Sequence, residues 1–266
     1  MRKKQKENLI KYIKDGIDIA WISLEDLKKN SFDGIVIAHE VLDAFPVERI
    51  EFSKGRLYRQ GVSINNETKK LSFSKLPMTK YLKDFIKNAK TENGVEIVPK
   101  DVQDGWSTEI HVDNIIWLEN LYSVINNGIL LIIDYALDSK RYYSSQKNQG
   151  TLVSYKNQNI FEDIFFSPGN CDLTSHLCID LLVNQAKKIG FDSLGVVKQG
   201  EALLLLGLAE KLHNLQNEFN NDLSQALLRR EALLRLVDPV CLGDFKWFIF
   251  SKMNRPNTKI SSICIS

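Results

Sequence analysis

"DGIVIAHEVLDAFPVERI", residues 33–50, holds the transition on which the fold turns. Residues 34–38 form an unbroken apolar run, the pattern of a strand covered on both faces in a parallel sheet. The run stops at His39; Glu40 and Asp43 follow three residues apart, and then Pro46. A second apolar run, "ILLIIDY" (129–135), also empties into an acid, Asp134, followed by Tyr135. Helical patterns alternate with these runs, so the chain reads as an open, mostly parallel α/β sheet. Ligands of such sheets sit beyond the carboxyl ends of the strands. Both runs deliver acids there, which sets the candidate site at Glu40, Asp43 and Asp134.

The remaining elements are read outward from these two strands. Residues 3–14 carry Leu9, Ile10 and Ile13 at helical spacing, and 17–22 read as a short strand. Ser23 is placed to cap a helix beginning "LEDLKKN". The segment 47–64 predicts a hairpin turning at Lys54 and Gly55, within an inserted region spanning 47–75. A helix is expected over 79–89. Another runs from His111, with Ile115, Leu118, Tyr122 and Ile125 on one face and Gly128 as its stop. Residues 142–170 read as a polar, aromatic-rich loop, and 174–189 as a helix closed by Gly190. "SLGVVK" predicts a strand. Leu212, Leu215, Phe219, Leu223, Ala226 and Leu227 predict one long helix reaching about Val237, which Pro239 cannot extend. "FKWFIF" (245–250) predicts the last strand, and the tail 254–266 reads as loose.

Composition narrows the classes. The chain has 266 residues, 44% of them hydrophobic, enough for a sizeable core. Its net charge of +2 argues against a dedicated nucleic-acid or membrane-surface binder. Cys171, Cys178, Cys241 and Cys264 form no Cys-x-x-Cys, which argues against a zinc site or a disulfide framework and fits a reducing cytosol. No apolar run approaches the ~20 residues needed to span a bilayer.

Two readings compete for each polar candidate. Glu40 and Asp43, on one helical turn, can clamp a guanidinium or ammonium group, or simply complement a helix dipole. Asp134 with Tyr135 is either a site acid or a capping acid. His176, in "CDLTSHLCID", has no neighbours in sequence that make a triad or metal set, and its alternative is a structural histidine. The tyrosines and cations of "RYYSSQKNQGTLVSY" suit a binding loop or an ordinary surface loop. The fourteen glycines contain no Gly-x-Gly pair. The glycine-rich turn that lets backbone approach a nucleotide-type cofactor is therefore not written in this sequence.

Several stretches together resemble one family, the MidA-like methyltransferases, to which the mitochondrial complex I assembly factor that methylates arginine belongs. The matching pieces are "FDGIVIAHEVLDAFPVER" (32–49), "GWSTEI" (105–110), "GILLIIDYA" (128–136), "YYSSQKNQGTLVSY" (142–155), "SPGNCDLTSHLCIDLL" (167–182) and "REALLRLVDPVCLGDFKWFIFSK" (230–252). The resemblance implies a class I methyltransferase sheet, Rossmann-like and seven-stranded, with the last strand antiparallel. It implies S-adenosylmethionine as cofactor and, as partner, a protein substrate such as a subunit of respiratory complex I or NDH. Family members begin with roughly a hundred further residues that carry the glycine-rich turn, so 1–266 is expected to be a partial domain lacking the first two strands. That loss would bare the edge and one face of the strand at 34–38, giving poor solubility or pairing with a separately encoded N-terminal piece.

By the same resemblance, His39, Glu40, Asp43 and Pro46 fall in the loop beside the sulfonium and the acceptor. His39 and Glu40 are the cofactor contacts, Glu40, Asp43 and His176 the catalytic group, and Pro46, Asp134, Tyr135 and Thr174 the substrate contacts. His39 stands where the family has Asn, Ala136 where it has Gly, and Cys178 where it has an acid, with Asp180 two residues on. The alternative function is a non-catalytic assembly protein or a decayed fragment.

Overall fold

The structure, a computed structural model, describes residues 2–157, 159–218 and 223–254. Helix α1 (Arg2–Lys14) is followed by β1 (Phe32–His39), then by the antiparallel strands β2 (Glu48–Ser53), β3 (Arg56–Ile64) and β4 (Leu71–Leu76). Next come α2 (Lys80–Asn93), β5 (Ser107–Ile110), α3 (Val112–Val124) and β6 (Ile125–Asp134). The short elements β7 (Ala136–Leu137), α4 (Ser139–Tyr142), β8 (Val153–Lys156), β9 (Asn159–Phe161), β10 (Asp172–Thr174) and β11 (Leu177–Cys178) lead to α5 (Ile179–Ile189). The chain then runs through β12 (Asp192–Lys198), α6 (Gln199–Leu205), α7 (Leu208–Glu218) and α8 (Leu223–Val237) to β13 (Lys246–Met253).

The central sheet has the order β1-β6-β13-β12. β1 and β6 are parallel, and β13 is antiparallel to both of its neighbours. This is the arrangement that the resemblance implies for the later strands of a class I methyltransferase. A second sheet, β4-β3-β2-β5, is wholly antiparallel. Its hairpin turns at Lys54 and Gly55, whose φ values of 50° and 73° are both left-handed, as a two-residue hairpin loop requires. One core lies on the central sheet, where Ala38, Leu130, Ile132, Phe248 and Phe250 meet Leu118 and Leu121 of α3. A second core gathers Ile50, Leu82, Ile97 and Ile110 around Tyr142 and Tyr143.

Several expectations are corrected. Residues 17–22 form no strand. Ser23 makes no side-chain cap, and only a single 3₁₀ turn, Leu24–Asp26, follows it. Gly128 does not end a helix. It lies inside β6, where a Cβ would stand 2.5 Å from the Gly34 carbonyl oxygen of β1, so glycine permits the close approach of the two strands. The helix expected from 174 begins only at Ile179, because 172–174 and 177–178 are extended. The loop 142–170 contains the β8–β9 hairpin. Phe219 lies outside the described residues, as does the tail 255–266.

For β1 the structure corrects the reading of a strand covered on both faces and shows the bare edge and face that were also expected. Val36 and Ala38 pack into the core, but Ile35 and Ile37 on the opposite face are 65% and 66% exposed. β1 is also the edge of its sheet, with β6 as its one strand neighbour among the described residues. An apolar face at a sheet edge favours association. Ile35→Lys combined with Ile37→Lys is therefore expected to lower light scattering of the concentrated chain. The thermal midpoint should hardly change, since exposed substitutions in strands cost about 1 kcal/mol or less. A collapse of the midpoint would mean that this face is packed.

Candidate active site

The site is built where β1 and β6 end. Glu40 continues the ladder by donating its N–H to the Ile133 carbonyl at 3.0 Å, in a left-handed conformation (φ 50°) that turns the chain sharply. Leu42, fully buried, anchors the turn in the core. The next residue, Asp43, is 4% exposed, and its N–H donates to Asp134 Oδ2 at 3.2 Å. Asp134, fully buried, also accepts from the Tyr135 N–H at 2.9 Å. One carboxylate thus pins both strand-end loops. No helix follows Glu40 and Asp43, so the dipole-complementing alternative has no helix to act on.

A third segment closes the site. The Ser175 N–H donates to the Asp43 carbonyl at 3.1 Å and the Leu177 N–H to the Tyr135 carbonyl at 2.8 Å. An open cleft of about 450 Å³ results, lined by Glu40, Asp43, Tyr135, Tyr155, Lys156 and Thr174 among others. Asp43 Oδ1 is buried without a hydrogen-bond partner among the described residues. Burial, and next the charge of Asp43, raises the Asp134 pKa to about 7. Burial, and next Glu40, raises that of Asp43. The Tyr135 hydroxyl is pushed up to about 12, by burial first and Glu40 second. Three acids, Glu40, Asp43 and Asp172, against the single cation Lys156 line the cleft. Asp43 and Asp134 hold protons more tightly than free acids do, and a cation is the ligand that would relieve Asp43.

Of the sequence-derived candidates, Glu40, Asp43, Asp134, Tyr135 and Thr174 come together here. His39 is exposed at the end of β1, with Nε2 3.7 Å from Glu40 Oε1 and its ring edge-on to Phe245. Pro46 is exposed and does not line the cleft. His176 lies behind Tyr135, their ring centroids 5.8 Å apart, and burial lowers its pKa to about 4, with Lys147 adding to the effect.

Sequence reasoning missed the polar cluster beside this site. Arg49 donates through Nε to Glu109 Oε1 at 3.0 Å, and through Nη2 to Ser107 Oγ and the Gln149 carbonyl. Glu109 Oε2 accepts from the Thr151 N–H at 2.9 Å. "GWSTEI" and "QGTLVSY" carry these residues, but nothing in either stretch shows that they meet.

A parallel pair of strands ending over an acidic cleft, with an antiparallel strand closing the sheet, defines a class I-like methyltransferase fold. A family model described as "Putative S-adenosyl-L-methionine-dependent methyltransferase" matches residues 1–197, and the chain belongs to that family. The resemblance to the MidA-like methyltransferases holds with it. A solved Burkholderia thailandensis protein, described as a "likely methyl transferase" and bound to S-adenosyl-homocysteine, is 26% identical with a TM-score of 0.73. The match covers 88% of this chain and 56% of that one. A native structure of a superfamily protein from the same organism gives the same identity and TM-score, with 58% of its chain covered. The chain thus spans little more than half the length of these solved relatives. No curated protein matches it. Among the described residues, no helix is long and apolar enough to cross a membrane.

Proposed function

We propose that this chain forms the acceptor side of an S-adenosylmethionine-dependent methyltransferase acting on an arginine of a protein partner, such as a subunit of respiratory complex I or NDH, in the cytoplasm. The observation that carries the reading is the unpartnered, buried Oδ1 of Asp43 at the cleft, with Glu40 beside it and Asp134 behind. A guanidinium is cationic and planar, and presents paired N–H donors to carboxylates.

His39 and Glu40, at the end of β1, are the residues here that would flank the donor. The bound donor supplies an electrophilic methyl group. Glu40 and Asp43 orient the guanidinium and concentrate its positive charge away from the nitrogen to be methylated. The product remains cationic, so one N–H proton must leave as the new N–C bond forms. The Asp43–Asp134 pair, whose proton affinity burial raises, is placed to take it once one of the two is ionised. A second reading, a non-catalytic protein that only grips its partner, draws support from the absence of any Gly-x-Gly in the sequence. Heat on titration with S-adenosylmethionine separates it from the first.

The acceptor assignment is tested by calorimetric titration of an arginine peptide and its neutral citrulline counterpart at pH 6 and pH 8. Ionised acids bind the cation, so the arginine peptide should bind several-fold more tightly on the alkaline side of the Asp134 pKa of about 7. The citrulline peptide should bind at least tenfold more weakly. Equal binding of both peptides overturns the reading.

A further inference from the structure

The segment 172–178 forms one wall of the cleft, and its hold on the rest of the chain is unusual. The backbone of His176 is fastened at both ends by side chains. Its N–H donates to Thr151 Oγ1 at 3.1 Å, and its carbonyl accepts from His111 Nε2 at 2.9 Å. A carbonyl can only accept, so Nε2 of His111 carries the proton. Asn114 Nδ2 then donates to Nδ1 at 3.3 Å, consistent with that tautomer. Burial lowers the His111 pKa to about 4, so the ring is neutral at physiological pH.

Both tethers lead to Glu109. The Thr151 hydroxyl reaches Glu109 Oε2 and the Tyr142 hydroxyl, each at 3.3 Å. Tyr142, whose own hydroxyl lies 3.2 Å from His111 Nε2, donates to Glu109 Oε2 at 3.4 Å. Burial and the charge of Glu109 hold the Tyr142 pKa well above its ordinary value, so it remains a donor. The Thr151 N–H and the hydroxyls of Thr151 and Tyr142 thus converge on one buried carboxylate, while the His111 proton goes to the His176 carbonyl. The two amides flanking His176, those of Ser175 and Leu177, are the ones that join the acid-bearing loops.

We propose that Thr151 and His111 are positioning residues of the acceptor cleft: by gripping the N–H and carbonyl of His176 they set the wall that carries Thr174 and fix the spacing of the Asp43 and Tyr135 loops. The inference rests on the reading of this cleft as the acceptor site. Neither residue lines the cleft, so both act through the 172–178 backbone.

The test pairs Thr151→Val, which keeps the branched shape and removes the acceptor, with Thr151→Ser, which restores it. In the full chain, Thr151→Val should weaken arginine-peptide binding at least tenfold, and Thr151→Ser should return it to within about threefold of the parent. Amide hydrogen exchange at Ser175 and Leu177 should quicken in the valine variant alone, at least tenfold. Should the valine variant fail to fold, His111→Leu and His111→Gln give the same contrast, since glutamine keeps an N–H for the His176 carbonyl. Binding and exchange unchanged in Thr151→Val, or in a folded His111→Leu, overturn the proposal. A parent chain that binds neither peptide overturns the acceptor reading instead, and the exchange contrast still decides whether the wall is held in this way.

Discussion

Methyl transfer to an arginine acceptor is expected to fall by about two to three orders of magnitude when Glu40 is replaced by Gln, with donor binding largely kept. The same substitution at the matching position of a full-length family member gives the assay a complete donor site. The expectation follows from what the carboxylate does in the turn. Glu40 sits in a left-handed backbone at the end of β1, so its side chain projects into the cleft instead of continuing the strand face. Glutamine keeps the length and one acceptor but loses the charge that localises the guanidinium. Glu40 is also the second cause of the raised pKa of Asp43, after burial. Removing its charge lets Asp43 ionise at lower pH, so the acid limb of any residual activity should move toward lower pH. Asp43→Asn should be at least as damaging, because it removes the charge of the acid whose buried Oδ1 has no partner among the described residues. Unchanged turnover in Glu40→Gln, measured by methyl incorporation into an arginine peptide, would remove Glu40 from the mechanism.

What could be read from sequence here follows from the range of the forces involved. The strands β1 and β6 and their terminal acids were legible because an apolar run and its abrupt end are local patterns. The hairpin at Lys54 and Gly55 was legible for the same reason, and the structure places both residues at left-handed φ. The exposure of Ile35 and Ile37 was not legible from periodicity, since an apolar position is written alike whether or not something covers it. Gly128 misled because a glycine after a helical pattern usually marks a stop. Its actual constraint is the Gly34 carbonyl across the sheet, a tertiary contact. The acids at 40 and 43 were brought to the cleft as expected, but by a tight turn and a hydrogen bond to Asp134, not by a helix. Glu109 left no trace at all. It sits in a four-residue strand, every residue of which is buried. Its partners Arg49, Tyr142 and Thr151 are 60, 33 and 42 residues away in sequence. A buried acid surrounded by distant donors cannot be told from a surface acid until the chain is folded.

That cluster carries the largest expected effect on stability. Glu109→Ala should destabilise the chain by roughly 3–5 kcal/mol, the range for breaking a buried ion pair from one side. For a chain of this size that is a fall of very roughly 6–20 °C in the thermal midpoint. The two partners are not equivalent. Glu109 is fully buried and answers four donors: the Arg49 guanidinium, the Thr151 N–H, the Thr151 hydroxyl and the Tyr142 hydroxyl. Losing it takes the acceptor from the Thr151 N–H and the Arg49 Nε–H and the carboxylate from all four. Arg49 has other acceptors in Ser107 Oγ and the Gln149 carbonyl, and it lies over the Phe73 ring. Arg49→Met leaves Glu109 with its three remaining donors and fills much of the same volume, so it should cost less than Glu109→Ala. Combining the two should cost less than their sum, because the arginine stranded by the first change is no longer present. Gly150 provides an independent check on the same carboxylate. Its φ is +71°, and a Cβ there would stand 2.3 Å from Glu109 Oε1. Gly150→Ala therefore meets backbone strain and a fixed, buried acid together, and should lower the midpoint even though every hydrogen-bonding group of the cluster is intact. Denaturation of the four variants, followed by circular dichroism, orders them. If Arg49→Met proves as costly as Glu109→Ala, the energy lies in the ion pair alone and the hub described here is not what holds the cluster.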